Sequence, residues 1–230
     1  MKILAIIPAR GGSKRLPRKN IKILNGKPLI SYSIEAASKS NYINKIVVST
    51  DDYEIKNISK TEDLEIVDRP KELAKDDSST FDAIKHSLDV LEEQDYVPDI
   101  VVLLQPTSPL RTTEDIDNSI ELFIENDCNS VISVCEFEHS PYWSLRIENK
   151  YLKPNFGQKY FTMRRQELPD LYLPNGAIFI SKVDDLMKLK SFYGKKILPY
   201  IMPSNRSIDI DTELDFKLIE LILREVNETD

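Results

Sequence analysis

Three short segments carry residue types that could do chemistry. ARGGSKRLPRKN (9–20) sets the adjacent glycines Gly11 and Gly12 among Arg10, Lys14, Arg15, Arg18 and Lys19. A flexible turn flanked by cations suits phosphate. Backbone N–H groups can approach closely, arginine offers a two-toothed fork, and lysine a mobile point charge. A solvated basic loop has the same composition. Neither G-x-x-x-x-G-K-[ST] nor G-x-G-x-x-G is present, so kinase-type and dinucleotide-binding chemistry lose their support. SIDIDTE (207–213) places Asp209 and Asp211 two residues apart. In an extended chain both carboxylates face one side, which suits a hard cation such as Mg2+ whose other ligands are water and substrate phosphates. An acid favouring a helix N-terminus is the plainer account of Asp211. LLQPTSPLR (103–111) offers the Gln105 amide, the Thr107 and Ser108 hydroxyls and the Arg111 charge, stiffened by Pro106 and Pro109. It suits base or sugar recognition, and it also reads as a strand-to-helix turn capped by Thr112 or Thr113.

The charge distribution narrows the ligand class. Residues 1–34 hold eight Lys/Arg and no acid, in a chain of net charge -7. A nucleic-acid binder is more often basic overall or along a face. Positive charge confined to one loop and its flanks points to a compact anionic ligand. Cys128 and Cys135 lack metal-ligand spacing and fit a reducing compartment. No apolar run is long enough to span a membrane. The run Ile3–Ile7 is too short for a secretory signal, so a cytoplasmic location is expected. His86 and His139 have no partner constellation, and no Ser-His-Asp arrangement is supported.

These segments need elements to hold them. KILAII (2–7) and KIVVST (45–50) are apolar runs of the kind buried on both faces of a sheet. LEIV (64–67) is a short strand, DIVVLLQ (99–105) a third long β-branched run and SVISVCEF (130–137) another strand. Helical spacing recurs at 28–39, with Pro28 at its first position, at 78–91, capped by Ser78 or Ser79, and at 113–125, with Ile116, Ile120, Phe123 and Ile124 inward. A helix could also start at Asp51–Asp52. The alternation predicts an α/β fold: a parallel sheet with helices on both faces and ligands at the strands' carboxyl ends. The loops 8–20, 50–52, 68–80 and 105–112 are then the functional ones. Residues 138–174 break the rhythm with a hairpin over 144–154. The aromatics Tyr142, Trp143, Tyr151, Tyr160 and Phe161 mark this insertion as a candidate dimer arm. The sheet pattern resumes at 176–181 and 196–202, and a last helix over 212–226 opens on a Thr212–Asp215 capping box.

In order along nearly the whole chain, IPARGGSKRLPRKNI (7–21), STDD (49–52), RPKELA-x-D (69–76), LLQPTSPLR (103–111), RRQELP (164–169), PNGAIFI (174–180) and SIDIDTELDF (207–216) resemble the acylneuraminate cytidylyltransferases. The resemblance implies a three-layer α/β/α, Rossmann-like nucleotidyltransferase fold with a small dimerisation insertion, and a homodimer. It implies transfer of CMP from CTP to a nine-carbon 2-keto sugar acid with Mg2+ (Mn2+ as a substitute). Arg10 and Lys19 would hold the triphosphate. Asn20, Arg69, Ser79 and Thr80 would place the nucleotide. Gln105 and Asn175 would face the sugar acid, and Asp209 and Asp211 would bind metal, with Asp211 also a candidate base. Arg165 would reach from the arm into the neighbouring subunit's site.

Two positions depart from the pattern. Many members acting on N-acetylneuraminic acid carry arginine where this chain has Leu173, and often tyrosine where it has Phe179. The loss of an arginine and a hydroxyl suggests a less polar acceptor of the legionaminic or pseudaminic acid type. The competing readings are another sugar nucleotidyltransferase, such as one for 3-deoxy-manno-octulosonate, and a polyanion-binding module, whose affinity would fall steeply with salt.

Overall fold

A computed structural model describes residues 1–60 and 64–229, with side chains to 225. In chain order the elements are β1 (Ile3–Pro8), β2 (Ile23–Leu24), β3 (Lys27–Pro28), α1 (Leu29–Ser38), β4 (Lys45–Thr50), α2 (Tyr53–Ser59), β5 (Leu64–Asp68), α3 (Thr80–Glu92), β6 (Ile100–Leu103), α4 (Thr113–Glu125), β7 (Ser130–Glu136), β8 (Leu145–Glu148), β9 (Tyr151–Pro154), β10 (Tyr172–Lys182), α5 (Val183–Leu189), β11 (Ile197–Ile201) and α6 (Glu213–Thr229). The central sheet has seven strands in the order β11-β7-β10-β6-β1-β4-β5. Only β10 runs against the rest, pairing antiparallel with β6 and β7.

Alternate residues of the central strands feed two cores, which makes the three layers. On one face Ile3, Ala5 and Ile7 of β1 meet Ile30 and Ile34 of α1 and Ile116, Ile120 and Phe123 of α4. On the other, Leu4 and Ile6 meet Ile84, Leu88 and Leu91 of α3 and Leu186 of α5. A third cluster fixes the basic loop: Leu16 packs with Leu24, Leu29, Leu110, Ile210 and Phe216. It therefore joins the first loop to the segment bearing Asp209 and Asp211, nearly two hundred residues away.

Several expectations are met at their caps. Ser79 accepts from the Asp82 N–H, and Asp52 accepts from Glu54 and Ile55, starting α2. Thr212 and Asp215 exchange bonds at the start of α6. Others are corrected. Pro28 precedes α1 rather than opening it and ends a short hairpin whose turn is Asn25–Gly26, both at positive φ. Ile124 is 42% exposed, because α4 shows the sheet only the stripe Ile116, Ile120 and Phe123. The strand expected at 176–181 begins at Tyr172 and is antiparallel, and α5 follows it at once.

In the insertion, Tyr142, Trp143 and Tyr160 are half-buried on one another rather than exposed. The Tyr142 and Tyr160 rings lie 4.4 Å apart, and the Trp143 indole donates to the Tyr160 carbonyl at 2.9 Å. The β8–β9 ribbon, turning at Asn149–Lys150, pairs Ile147 with Leu152 and Arg146 with Lys153. One face is thus apolar and the other charged. Ile147 is 78% exposed on the apolar face.

Candidate active site

The strand order brings the loops after β6, β1, β4 and β5 side by side at the carboxyl edge of the sheet. A cleft of about 300 Å³ opens there, lined by Arg10, Ser13, Lys19, Asn20, Arg69, Lys75, Asp76, Ser78, Ser79, Thr80, Gln105 and Thr107, among others. Eight residues singled out from the sequence (Arg10, Lys19, Asn20, Arg69, Ser79, Thr80, Gln105 and Thr107) meet in this one wall. Its charged lining is four cations to one carboxylate.

Three of the four cations, Arg10, Lys19 and Arg69, are held by side-chain contacts. Arg10 donates to the Lys75 carbonyl at 2.9 Å and pairs with Asp76 at 3.0 Å. Lys19 donates to the Ile210 carbonyl at 2.5 Å and lies 3.5 Å from Asp211. Arg69 is buried and donates twice to Ser49, to its hydroxyl at 3.1 Å and its carbonyl at 2.6 Å. Burial pulls the Arg69 guanidinium down to about 10, and Arg10 adds to the fall while Asp51 opposes it, so the group stays charged at neutral pH. Asn20 clasps the loop by donating to the Arg10 carbonyl at 3.0 Å.

The loop is not the field of one sign that its composition suggests. Lys14 pairs with Asp76, Arg15 with Asp211, and Arg18 with both Asp52 and Glu54. Gly11 serves a different purpose from a phosphate cradle. Its N–H donates to Asp51 at 2.9 Å, and a Cβ there would lie 2.5 Å from the Asp52 carboxylate. The glycine lets the loop close on the Asp51–Asp52 pair. Gly12 faces open space.

Two further recesses share this wall. One, of about 320 Å³, runs from Arg10 and Lys19 to Arg15 and Asp211. The other, of about 280 Å³, shares Ser79, Thr80 and Gln105 and is otherwise mostly apolar, with Phe81, Leu103, Phe179, Leu186, Phe192 and Tyr193. Phe179 packs against Phe192 with ring centroids 5.5 Å apart. Leu173 is exposed, on the β10 segment paired with β7.

Asp209 and Asp211 flank the fully buried Ile210, so both project outward as an extended segment requires. Asp209 keeps an open face to solvent. Protein packed around its carboxyl nonetheless takes away part of its water and pushes it up, while a Thr107 hydrogen bond and Lys19 oppose this. The two carboxylates form an oxygen-only pair beside the cationic loop, the donor type Mg2+ prefers. Among the described residues no group of three or more His, Cys, Asp or Glu could hold a metal, so substrate oxygens or water would have to complete the shell.

Two sequence-identified residues lie elsewhere. Asn175 is 6% exposed and spent on internal bonds. Its oxygen accepts from Ser133 at 2.6 Å and from the Ala177 N–H, and its nitrogen donates to Ser207 at 2.9 Å. It ties β10 to β7 and to the 207–211 segment and does not line the cleft. Arg165 lines a small separate recess and donates to the Phe137 carbonyl at 3.2 Å.

Residues 4–222 match the family model described as Cytidylyltransferase. The chain belongs to this family. It is 36% identical over 98% of its length to the N-acylneuraminate cytidylyltransferase of Escherichia coli O18:K1:H7, of which it covers 53%. It is 38% identical to the CMP-N,N'-diacetyllegionaminic acid synthase of Legionella pneumophila, with 97% of each chain covered. The chain thus spans about half the length of the N-acylneuraminate cytidylyltransferases it matches. Its fold is similar to that of a CMP:2-keto-3-deoxy-manno-octonic acid synthetase, at TM-score 0.73 and 16% identity, over 98% of this chain and all of that one.

Sequence reasoning missed the part of Asp76 in the cleft. Its carboxylate joins Arg10 to Lys14, and only the RPKELA-x-D pattern marked it. It also missed the apolar recess, whose walls come from α3, β6, β10 and residues 190–193, segments with no shared motif.

Proposed function

We propose that this cytidylyltransferase moves CMP from CTP to the anomeric hydroxyl of a nine-carbon 2-keto sugar acid and releases pyrophosphate. The observation that carries the reading is the shared wall. A cationic cleft built by Arg10, Lys19 and Arg69 meets a mostly apolar recess across Ser79, Thr80 and Gln105. A triphosphate fits the first and a sugar acid of low polarity the second. The hydroxyl oxygen forms a bond to the α-phosphorus, the α–β phosphoanhydride bond breaks, and the hydroxyl proton leaves to Asp211 or to solvent. Negative charge grows on the α-phosphate and on the departing pyrophosphate. Lys19 and Arg10, fixed by the Ile210 and Lys75 carbonyls, are preorganised to meet it. Asp209 and Asp211 would hold Mg2+, with Mn2+ as a substitute. When bound, the ion would neutralise phosphate charge that the cations leave uncovered.

The likeness to the legionaminic acid synthase over both full chains, with Phe179 in the apolar recess, favours an acceptor of legionaminic or pseudaminic type. We infer a homodimer from the β8–β9 ribbon. A two-stranded ribbon is marginal alone, and its apolar face (Leu145, Ile147, Leu152) needs a cover. In such a dimer Arg165 would approach the neighbouring cleft. Both cysteines are free, which suits the cytoplasm, where CTP is made.

The test is Mg2+-dependent pyrophosphate release from CTP with N-acetylneuraminic, legionaminic, pseudaminic and 3-deoxy-manno-octulosonic acids, with UTP and GTP as controls. Release with CTP and a nonulosonic acid supports the reading. Preference for the octulosonic acid, or for another nucleotide, overturns it. Clear preference for N-acetylneuraminic acid removes the inference from Phe179 and Leu173.

A further inference from the structure

Arg111 is 3% exposed, yet no carboxylate lies within ion-pair distance of it among the described residues. Its donors go to neutral oxygens: Nη1 to the Ala177 carbonyl at 2.9 Å and the Gln105 carbonyl at 3.2 Å, and Nη2 to the Ser33 hydroxyl at 2.6 Å. Ser33 in turn donates to the Gln105 carbonyl at 3.3 Å. Nε is buried with no partner. A buried cation is a costly way to fill space when an apolar side chain would do.

The three acceptors come from α1, the loop after β6, and β10. They meet where the sheet's own ladders stop. The β6 ladder ends at Leu103, two residues before Gln105. The pairing of β10 slips between Pro174 and Phe179, on either side of Gly176 and Ala177. The last β6–β10 pair, Leu103–Phe179, lies two residues away on each strand, so no ladder pair ties Gln105 to Ala177 directly. The approach of Gln105 to this part of β10 is tight: at Gly176, with φ +77°, a Cβ would lie 3.2 Å from the Gln105 amide oxygen.

We propose that Arg111 is a positioning residue for the acceptor. Its planar fork fixes the Gln105 and Ala177 carbonyls relative to each other, and so sets the wall between the cationic cleft and the apolar recess. The proposal rests on the reaction proposed above. A lysine keeps the charge but cannot serve three acceptors in fixed directions.

The test compares wild type with Arg111→Lys and the milder Ser33→Ala. A displaced Gln105 raises the KM for the sugar acid by about tenfold in Arg111→Lys and about threefold in Ser33→Ala, with the KM for CTP much less changed. A merely less stable enzyme would lose active molecules and leave both KM values alone. Unchanged KM values in both variants, or a parallel rise in the KM for CTP and for the sugar acid, overturns the proposal. Crystal structures of the variants give a second readout. A shifted spacing between the Gln105 and Ala177 carbonyls supports positioning, and an unchanged spacing refutes it. If wild type releases no pyrophosphate with any acceptor, the proposed reaction fails, while the crystallographic arm still decides the role of Arg111.

Discussion

Gly11→Ala tests how the first loop is held. The backbone at Gly11 is not in the left-handed region, so alanine adds only a methyl. That methyl would lie 2.5 Å from the Asp52 Oδ2, 2.9 Å from its Cβ and 3.0 Å from its Cγ. The Cβ cannot swing away, because Asp52 sits at the N-cap of α2. Its carboxylate accepts from Glu54 at 2.9 Å and Ile55 at 3.0 Å and holds Arg18 at 2.6 Å. Relieving the clash means moving the loop or giving up the cap. Overpacking of this kind costs about 1–3 kcal/mol, and a lost cap about 1 kcal/mol. A destabilisation of about 2 kcal/mol is expected, or a fall in Tm of about 4–8 °C for a chain of this size. Gly12→Ala is the control, since nothing lies within 4 Å of its added methyl, and its change should stay within about 0.5 kcal/mol. Urea unfolding of both variants, and of Asp52→Ala with and without Gly11→Ala, measures the coupling. Asp52→Ala removes the Oδ2 and Cγ contacts and frees residue 52 from its cap. The remaining 2.9 Å contact with Cβ can then relax, and the methyl should cost less. Equal effects at Gly11 and Gly12, or additive effects of Gly11→Ala and Asp52→Ala, would refute the steric reasoning.

Other outcomes follow from the same contacts. Lys19→Ala should lower kcat by about 10²–10³-fold with little change in the KM for CTP, and steady-state pyrophosphate release with an unchanged kcat would remove the transition-state role. Asp211→Ala should abolish Mg2+-dependent turnover, and near-normal rates at limiting Mg2+ would count against the metal assignment. The pH dependence can be read at Asp52. Burial pushes its carboxyl up, but the Ile55 and Glu54 N–H groups and Arg18 outweigh this and hold it below the usual aspartate value. The stability it lends is therefore complete above about pH 4 and lost as pH falls through the folded value. The stability gap between wild type and Asp52→Ala should be constant from neutral pH to about pH 5 and narrow below about pH 4. A gap that widens on acidification would contradict the assignment.

What was legible in the sequence depended on how locally each feature is determined. KIVVST is a strand over 45–50 as expected, because a run buried on both faces needs no partner to be recognised. Ser79, Asp52 and Thr212 declare helix starts by their own side chains. The direction of β10 is not in its apolar run, since a strand buried on both faces reads the same either way. The turn at Asn25–Gly26 had its signal in the Asn-Gly pair itself. Asn175 shows the opposite limit. The family resemblance implies that it faces the sugar acid, but Ser133 and Ser207, which occupy it, become its neighbours only through the antiparallel insertion of β10.

Charge illustrates the same division. Arg18 finds Asp52 34 residues away, and Arg15 finds Asp211 196 residues away. Local composition cannot show these pairs. They alter how the loop should be understood: Lys14, Arg15 and Arg18 are already paired with carboxylates of the fold. On the proposed reaction, a triphosphate entering the cleft exchanges one set of oxygen partners for another. The cations then need little reorganisation, and the desolvation of Arg69 and Lys19 has already been met by the fold. The two bridging acids differ in what they do next. If Asp211 holds Mg2+ as proposed, it would turn from Lys19 and Arg15 to the ion and release both for phosphate. Among the described residues the Asp76 carboxylate pairs with Arg10 and Lys14 alone, so on the same reaction it would compete with phosphate for them. Its removal should therefore tighten CTP binding, whereas removal of Asp211 should weaken turnover. Two carboxylates at the same cationic loop are thus separable by the sign of their effects.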